Sequence, residues 1–208
     1  MTKQEEIWKS DFGEEYTERN TWDINELEEW YKNMYGITCT DLYKSMLEKY
    51  IDKNYTILEV GCGSGNQIQF LKSLGYKNLF GLEIQKNACD IARKRTGVDI
   101  TYGSVFEIPY NKFDVVRTSG LLIHISPKDI NKALDEIYRC SRKYIMGFEY
   151  HYPIHTKIKY RDYDDILWKG NFPEMFINKF PNLKPVYEVQ VKHGDEDGFD
   201  ELYLLEKQ

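Results

Sequence analysis

The stretch TILEVGCGSGN, Thr56 to Asn66, decides the fold. Ile57, Leu58 and Val60 make a near-continuous apolar run, which suits a strand buried on both faces as in a parallel sheet. Glu59 interrupts the run near its end, and Gly61, Gly63 and Gly65 follow at alternate positions. Glycine permits positive φ and lets backbone N–H groups approach a ligand with no Cβ in the way. From Gln67 to Leu74 the apolar residues Ile68, Leu71 and Leu74 recur at a spacing of three, and Gly75 ends the predicted helix. Strand, glycine loop and helix N-terminus stand in that order, a frame on which a ligand can lie against bare backbone.

Two kinds of enzyme use such a frame. The dinucleotide fingerprint G-x-G-x-x-G/A wants a small residue at position 66 for close helix packing. Position 66 is Asn, and the third glycine comes one residue early, which argues against a nicotinamide-dependent oxidoreductase; a noncatalytic domain that keeps the cofactor fold is the other alternative. The next apolar run, Asn78 to Leu82, predicts a second buried strand, closed by Glu83 18 residues beyond Gly65. That is close to the roughly 20-residue separation of a ribose-binding acid; an acid capping the following helix is the plainer alternative. G-x-G-x-G after an acidic strand end, with Glu83 beyond it, resembles the class I S-adenosylmethionine methyltransferases. The resemblance implies an α/β fold with a doubly wound, seven-stranded, mainly parallel sheet. It also implies S-adenosyl-L-methionine as cofactor, S-adenosyl-L-homocysteine as product, and a donor contacted by Glu59, Gly61, Cys62, Gly63, Gly65, Glu83 and Ile84.

Further strands and helices are predicted to alternate. Lys86 to Arg95 carries Ala88, Ile91 and Ala92 on one side, with Gly97 past its end; Val98 to Tyr102 reads as a third strand. In the family this resembles, the turn after that strand touches adenine, which makes Ser104 and Val105 candidates. Lys112 to Arg117 reads as a fourth strand feeding Thr118, Ser119 and Gly120. Ligands of open parallel sheets bind outside the carboxyl ends of strands where the order reverses, so Thr118 and Ser119 should face the donor. His124 follows as the first candidate for acceptor chemistry, set against a packed core histidine. Ser126, Pro127 and Asp129 read as N-cap, first and third positions of a helix ending near Ser141. Lys143 to Phe148 makes a fifth strand; Pro185 to Lys192 and Glu201 to Glu206 make the last two, the final one inserted antiparallel in the family resembled.

Outside this core, Gln4 to Asn20 reads QEEIWKSDFGEEYTERN. With the glycine loop and Tyr160-Arg161, this opening resembles the methyltransferases associated with pseudaminic acid biosynthesis, and departs from them at Asp162-Tyr163, where they have Gly-His. Tyr16, Arg19 and Asn20 are read as part of a lid, Arg19 being suited to bidentate recognition of the methionine carboxylate. Tyr150, His151, His155, Tyr160 and Arg161 suggest a pocket for a small polar acceptor, anionic or sugar-derived; with His124, the residues Tyr150, His155 and Arg161 are the catalytic candidates. Asp162, Asp164 and Asp165 read as a solvated helix start.

Composition bounds the rest. At 208 residues with 41% hydrophobic side chains the chain is expected to be one methyltransferase domain: 1–50 a helical cap, 51–150 the donor-binding core, 151–208 an acceptor insertion with a terminal hairpin. A net charge of −6 lacks the basic footprint of a nucleic-acid binder. The polar, acidic start and the absence of eighteen consecutive apolar residues point to a cytoplasmic protein with no membrane partner. Cys39, Cys62, Cys89 and Cys140 form no C-x-x-C and predict neither a metal site nor a disulfide framework. Cys62 is read as a small side chain in a tight place, and oligomeric state is left open.

Overall fold

In the computed structural model, which describes residues 1–160, 163–192 and 198–208, nine strands and eight helices appear among the described residues. Strand β1 (Ile57–Val60) is buried along its whole length, as its apolar run requires. It lies between β2 (Leu79–Glu83) and β4 (Phe113–Ser119), and β3 (Asp99–Tyr102) and β5 (Ser141–His151) extend the parallel sheet on either side. Strands β8 (Leu183–Lys192) and β9 (Phe199–Lys207) complete the order β3-β2-β1-β4-β5-β9-β8, with β9 antiparallel to both neighbours. The predicted seven-stranded, mainly parallel sheet is therefore present, with its last strand inserted antiparallel.

Helices cover both faces, as parallel strands demand. On one side α3 (Ile24–Tyr35), α4 (Cys39–Tyr50) and α5 (Asn66–Ser73) bury Leu27, Tyr31, Tyr43, Met46 and Phe70 against Ile57, Val115 and Met146. On the other, α7 (Ile130–Cys140) and α8 (Phe172–Lys179) bury Leu134, Ile137 and Phe176 against Leu58, Val116 and Ile145. Each such side chain contributes about 1.5–3 kcal/mol on burial. Helix α6 (Lys86–Thr96) closes on Gly97 as its sequence predicts.

The structure corrects two local expectations. Ser126 does not cap α7: its hydroxyl bonds the Asp129 carboxylate at 2.7 Å in a turn, and the helix begins at Ile130 with Asp129 as its N-cap. The acidic run around residue 164 starts no helix; Tyr163–Lys169 is strand β7, paired antiparallel with β6 (Thr156–Tyr160) in a separate hairpin. A buried run explains it, because Ile166, Leu167 and Trp168 are all buried while Asp164 is exposed, and tertiary packing decides short segments over local charge. Asp162 and Arg161 lie outside the described residues.

Gly147 shows how tightly the central strands meet. Its β9 partner is Tyr203, and a Cβ on Gly147 would stand 2.1 Å from that ring. Gly147→Ala should therefore cost about 3 kcal/mol, the upper end of ordinary overpacking, and urea unfolding measures it. A loss under 1 kcal/mol would mean that β5 and β9 can separate without penalty.

Candidate functional site

The carboxyl ends of β1, β2 and β4 open into a cavity of about 420 Å³. Its floor is the glycine loop. Gly63 has φ +52°, and nothing lies within 4 Å of the place where its Cβ would be, so its backbone faces open space. The loop is held from below by Glu83, whose carboxylate accepts N–H bonds from Gly63 at 2.8 Å, Ile84 at 2.7 Å and Gln85 at 2.8 Å. Burial pushes Glu83 above the usual carboxylate range, and those three N–H groups hold it back. A carboxylate offers about four lone-pair sites, so one acceptor position remains beside the cavity.

Glu59 also lines the cavity, is 3% exposed, and has an Oε2 atom with no hydrogen-bond partner. Burial lifts it to about 7, with Arg117 pulling it down and Glu83 adding to the rise. Ile84, Val105, Ser119 and the backbone of Gly61 and Cys62 complete this wall. The Cys62 thiol is pushed well up by burial. It packs against Gly81, where a Cβ would come within 2.8 Å of its sulfur, in keeping with a small side chain in a tight place.

At the far end stands His124, in a 3₁₀ turn (Leu122–His124) after β4. Its Nδ1 is 2.7 Å from the Ile166 carbonyl; a carbonyl only accepts, so Nδ1 carries the hydrogen and Nε2 keeps its lone pair. Burial draws the imidazole down to about 4, which keeps it neutral at pH 7. The turn that carries it is fixed by Glu149, whose buried carboxylate accepts from the N–H groups of Leu121 and Ile123 at 3.2 and 3.4 Å. Burial raises Glu149 to about 7, opposed by the Thr118 hydroxyl and these N–H groups.

The N-terminal helices α1 (Lys3–Lys9) and α2 (Asp11–Arg19) roof the cavity. They cross closely at Gly13, where a Cβ would stand 2.0 Å from the Trp8 carbonyl oxygen. The Gln4 amide donates to the Asp165 carbonyl at 3.0 Å, the Ser104 hydroxyl donates to Glu5 at 2.5 Å, and the Trp8 ring meets His124 edge-on at 4.5 Å. Behind α2, the Asn20 carbonyl accepts from the Asn66 amide at 2.7 Å and the Ser64 hydroxyl at 3.3 Å. Arg95 joins the two sides, donating to the Ser64 carbonyl at 2.6 Å and to the Trp22 carbonyl.

Residues 57–143 match the methyltransferase domain family. The fold is that of a class I methyltransferase. Over 80 residues the chain is 35% identical to the ribosomal protein L11 methyltransferase of Paraburkholderia phymatum, a match covering 37% of this chain and 27% of that protein. The chain thus spans about a quarter of the length of the curated relatives it matches first. Among solved structures, 1,6-didemethyltoxoflavin-N1-methyltransferase of Burkholderia thailandensis, crystallised with its substrate and S-adenosylhomocysteine, superposes with TM-score 0.72 at 15% identity, covering 98% of this chain and 88% of that one. Magnesium protoporphyrin IX methyltransferase of Synechocystis PCC 6803, with bound S-adenosylhomocysteine, gives 0.71 at 9% identity and 98% coverage of both.

Within this methyltransferase fold the cavity brings together Tyr16, Asn20, Glu59, Gly61, Cys62, Gly63, Glu83, Ile84, Ser104, Val105, Ser119, His124, Tyr150 and Tyr160 of the residues singled out from sequence. Others stand apart. Gly65 is the αL cap of α5, packed on Thr96. Thr118 is 2% exposed and bonds Glu149 beneath the turn, so its neighbour Ser119 lines the cavity in its place. Arg19 points to solvent and pairs with Glu15 at 3.6 Å, because α2 buries Gly13 and Thr17 and not that face. His155 packs between Trp168 and Phe172, its Nε2 unpartnered and its pKa lowered by burial, away from the cavity lining. Arg161 lies outside the described residues. Among the described residues no helix is long and apolar enough to cross a membrane, and no group of three or more metal-ligating side chains occurs.

Sequence reasoning missed the roof's fastenings. Asn66 is the residue that broke the dinucleotide fingerprint, and it is also the one that grips Asn20; the same odd letter carried the second message. Glu5, Trp8 and Glu149 gave no periodic signal, since each acts on an element distant in sequence.

Proposed function

We propose that this chain is an S-adenosylmethionine-dependent methyltransferase acting on an oxygen or nitrogen of a small polar molecule. The observation that carries it is the bare face of Gly63 between two buried carboxylates, a cradle that a Cβ would fill. When bound, the donor supplies an electrophilic methyl group on sulfonium. Glu83 would take a ribose hydroxyl at its remaining acceptor position. Glu59 would take the α-ammonium group, and Ile84, Ser104 and Val105 would flank the base. His124 Nε2 would accept the proton that the acceptor loses, contributing about 10²–10⁴-fold, and Tyr150 would orient the acceptor. Positioning of the two reactants supplies the larger part, roughly 7–11 kcal/mol.

A small acceptor is favoured by the roof, which leaves a partly covered cavity in place of an open groove. Relatives named for a ribosomal protein match over only 37% of this chain, whereas the two structural neighbours are named for heteroaromatic acceptors. The resemblance of Gln4 to Asn20 to pseudaminic acid-associated methyltransferases makes nonulosonic sugars the first acceptors to test. The charged groups lining the cavity among the described residues are Glu5, Glu59, Glu83 and Asp200; Arg161, the sequence candidate for an anionic acceptor, lies outside the described residues. We read the chain as one cytoplasmic domain with 1–50 as cap and 151–208 as acceptor insertion and hairpin, and with no nucleic-acid partner.

The deciding experiment incubates the protein with methyl-labelled donor and a panel of sugars, amino acids and amines, and calorimetry with S-adenosylhomocysteine runs beside it. Failure to bind S-adenosylhomocysteine overturns the proposal. On the first acceptor found, His124→Ala should lower kcat about 100-fold or more with donor affinity unchanged. The roof should tighten over ligand, so amide hydrogen exchange across Gln4 to Asn20 is expected to slow when S-adenosylhomocysteine is added. Exchange indifferent to ligand would make α1 and α2 a fixed wall.

A further inference from the structure

The largest fully buried side chain belongs to Arg117, in the middle of β4, where the neighbouring Val115 and Val116 show what a strand buried on both faces ordinarily carries. The parallel register sets Arg117 directly opposite Glu59 on β1. Its Nη2 donates weakly to the Tyr43 hydroxyl and to Gln67 Oε1, both at 3.4 Å, and its Cζ stands 5.6 Å over the Tyr43 ring. Nε and Nη1 have no hydrogen-bond partner, and neither has Glu59 Oε2. A guanidinium so sealed is costly unless a charge compensates it.

We infer that Arg117 is a positioning residue for the donor: from the adjacent strand it favours the ionised form of Glu59, so that Glu59 can receive the α-ammonium group of the donor's amino-acid end. The inference rests on the donor reading above. Glu59 borders the cavity and Arg117 does not, so Arg117 acts through its neighbour and never meets ligand. The groups facing the pair support this division. Glu83 from β2 works against the ionisation of Glu59. Cys62 from the glycine loop, Cys39 and Tyr43 from α4 and Tyr31 from α3 are all pushed upward by burial and stay neutral. Among the described residues Arg117 is the cation set against Glu59, and burial alone would leave that carboxyl protonated at neutral pH.

The test compares two ligands that differ only at the amino-acid end. S-adenosylhomocysteine carries it; 5′-methylthioadenosine keeps the adenosine and thioether and lacks it. By calorimetry at pH 7.5, Arg117→Met should weaken S-adenosylhomocysteine tenfold or more while 5′-methylthioadenosine stays within twofold. The loss should shrink as pH rises from 6.5 to 8.5, because Glu59 without its cation ionises late, and Arg117→Lys, which keeps the charge, should restore most of the affinity. Glu59→Gln, close in shape, is the second variant: it should show the same selective loss, and its own affinity for S-adenosylhomocysteine should stay constant between pH 6.5 and 8.5. Equal weakening of both ligands in these variants, or no weakening of either, overturns the inference. A wild-type protein that binds neither ligand overturns the donor reading itself.

Discussion

Gly63→Val should abolish S-adenosylhomocysteine binding, by at least 100-fold, in a protein that still folds. The two halves of that expectation have separate causes. At φ +52° a branched side chain is strained, which costs about 1–3 kcal/mol and lowers Tm by several degrees in a chain of this size. No protein atom lies within 4 Å of the new Cβ, so packing is not disturbed further. The valine would instead project into the cavity floor, where the donor has to lie. Gly65 provides the contrast, because a Cβ there meets Thr96 at 2.8 Å and Ala92 at 3.3 Å. Substitution at 65 should damage the fold as well as the site. Unchanged affinity in Gly63→Val would place the donor elsewhere and remove the ground for the proposed function.

The second large effect is expected at Glu83, and it should appear in stability and affinity together. Glu83→Ala leaves the N–H groups of Gly63, Ile84 and Gln85 without their acceptor. Each unsatisfied buried donor costs about 1–3 kcal/mol, and partial entry of water reduces the sum, so a loss of about 2–4 kcal/mol in urea unfolding is expected. Donor affinity should fall more than 100-fold, because the loop that presents Gly63 loses its tie while the ribose loses an acceptor. Glu83→Gln retains one acceptor oxygen and should fall between the two. A variant destabilised but binding with wild-type affinity would make Glu83 a fastening of the loop alone.

The contrast between these two residues shows what the sequence made legible. Gly63 and Glu83 sit at strand ends, and their meaning is carried by local order: apolar run, acid, glycines, helix. Periodicity therefore located β1, β2, α5 and α6 to within a residue or two. The roof and the acceptor side follow no such order. Trp8 meets His124, Glu5 meets Ser104 and Gln4 meets Asp165 across more than 95 positions, and nothing in a helical or strand period encodes a partner so distant. Arg19 misled for the same reason. Its chemistry suited a carboxylate, but the face of α2 on which it falls was set by Gly13 and Thr17 packing inward. Asp162, Asp164 and Asp165 suit a helix start by charge alone, whereas the buried Ile166 to Trp168 behind them place Tyr163–Lys169 in a strand.

The way the roof is fastened bears on how such an enzyme could diversify. Asn66, Ser64 and Arg95 grip the carbonyl oxygens of Asn20 and Trp22, groups that every residue type presents alike. A first segment of different sequence, provided it reached the same two carbonyls, would be held just as well. Trp8 of that segment meets His124 edge-on, so under the proposed function a different segment would change the wall beside His124 while the glycine loop stayed as it is. Exchange of the N-terminal segment is thus a practical route by which to seek altered substrate choice.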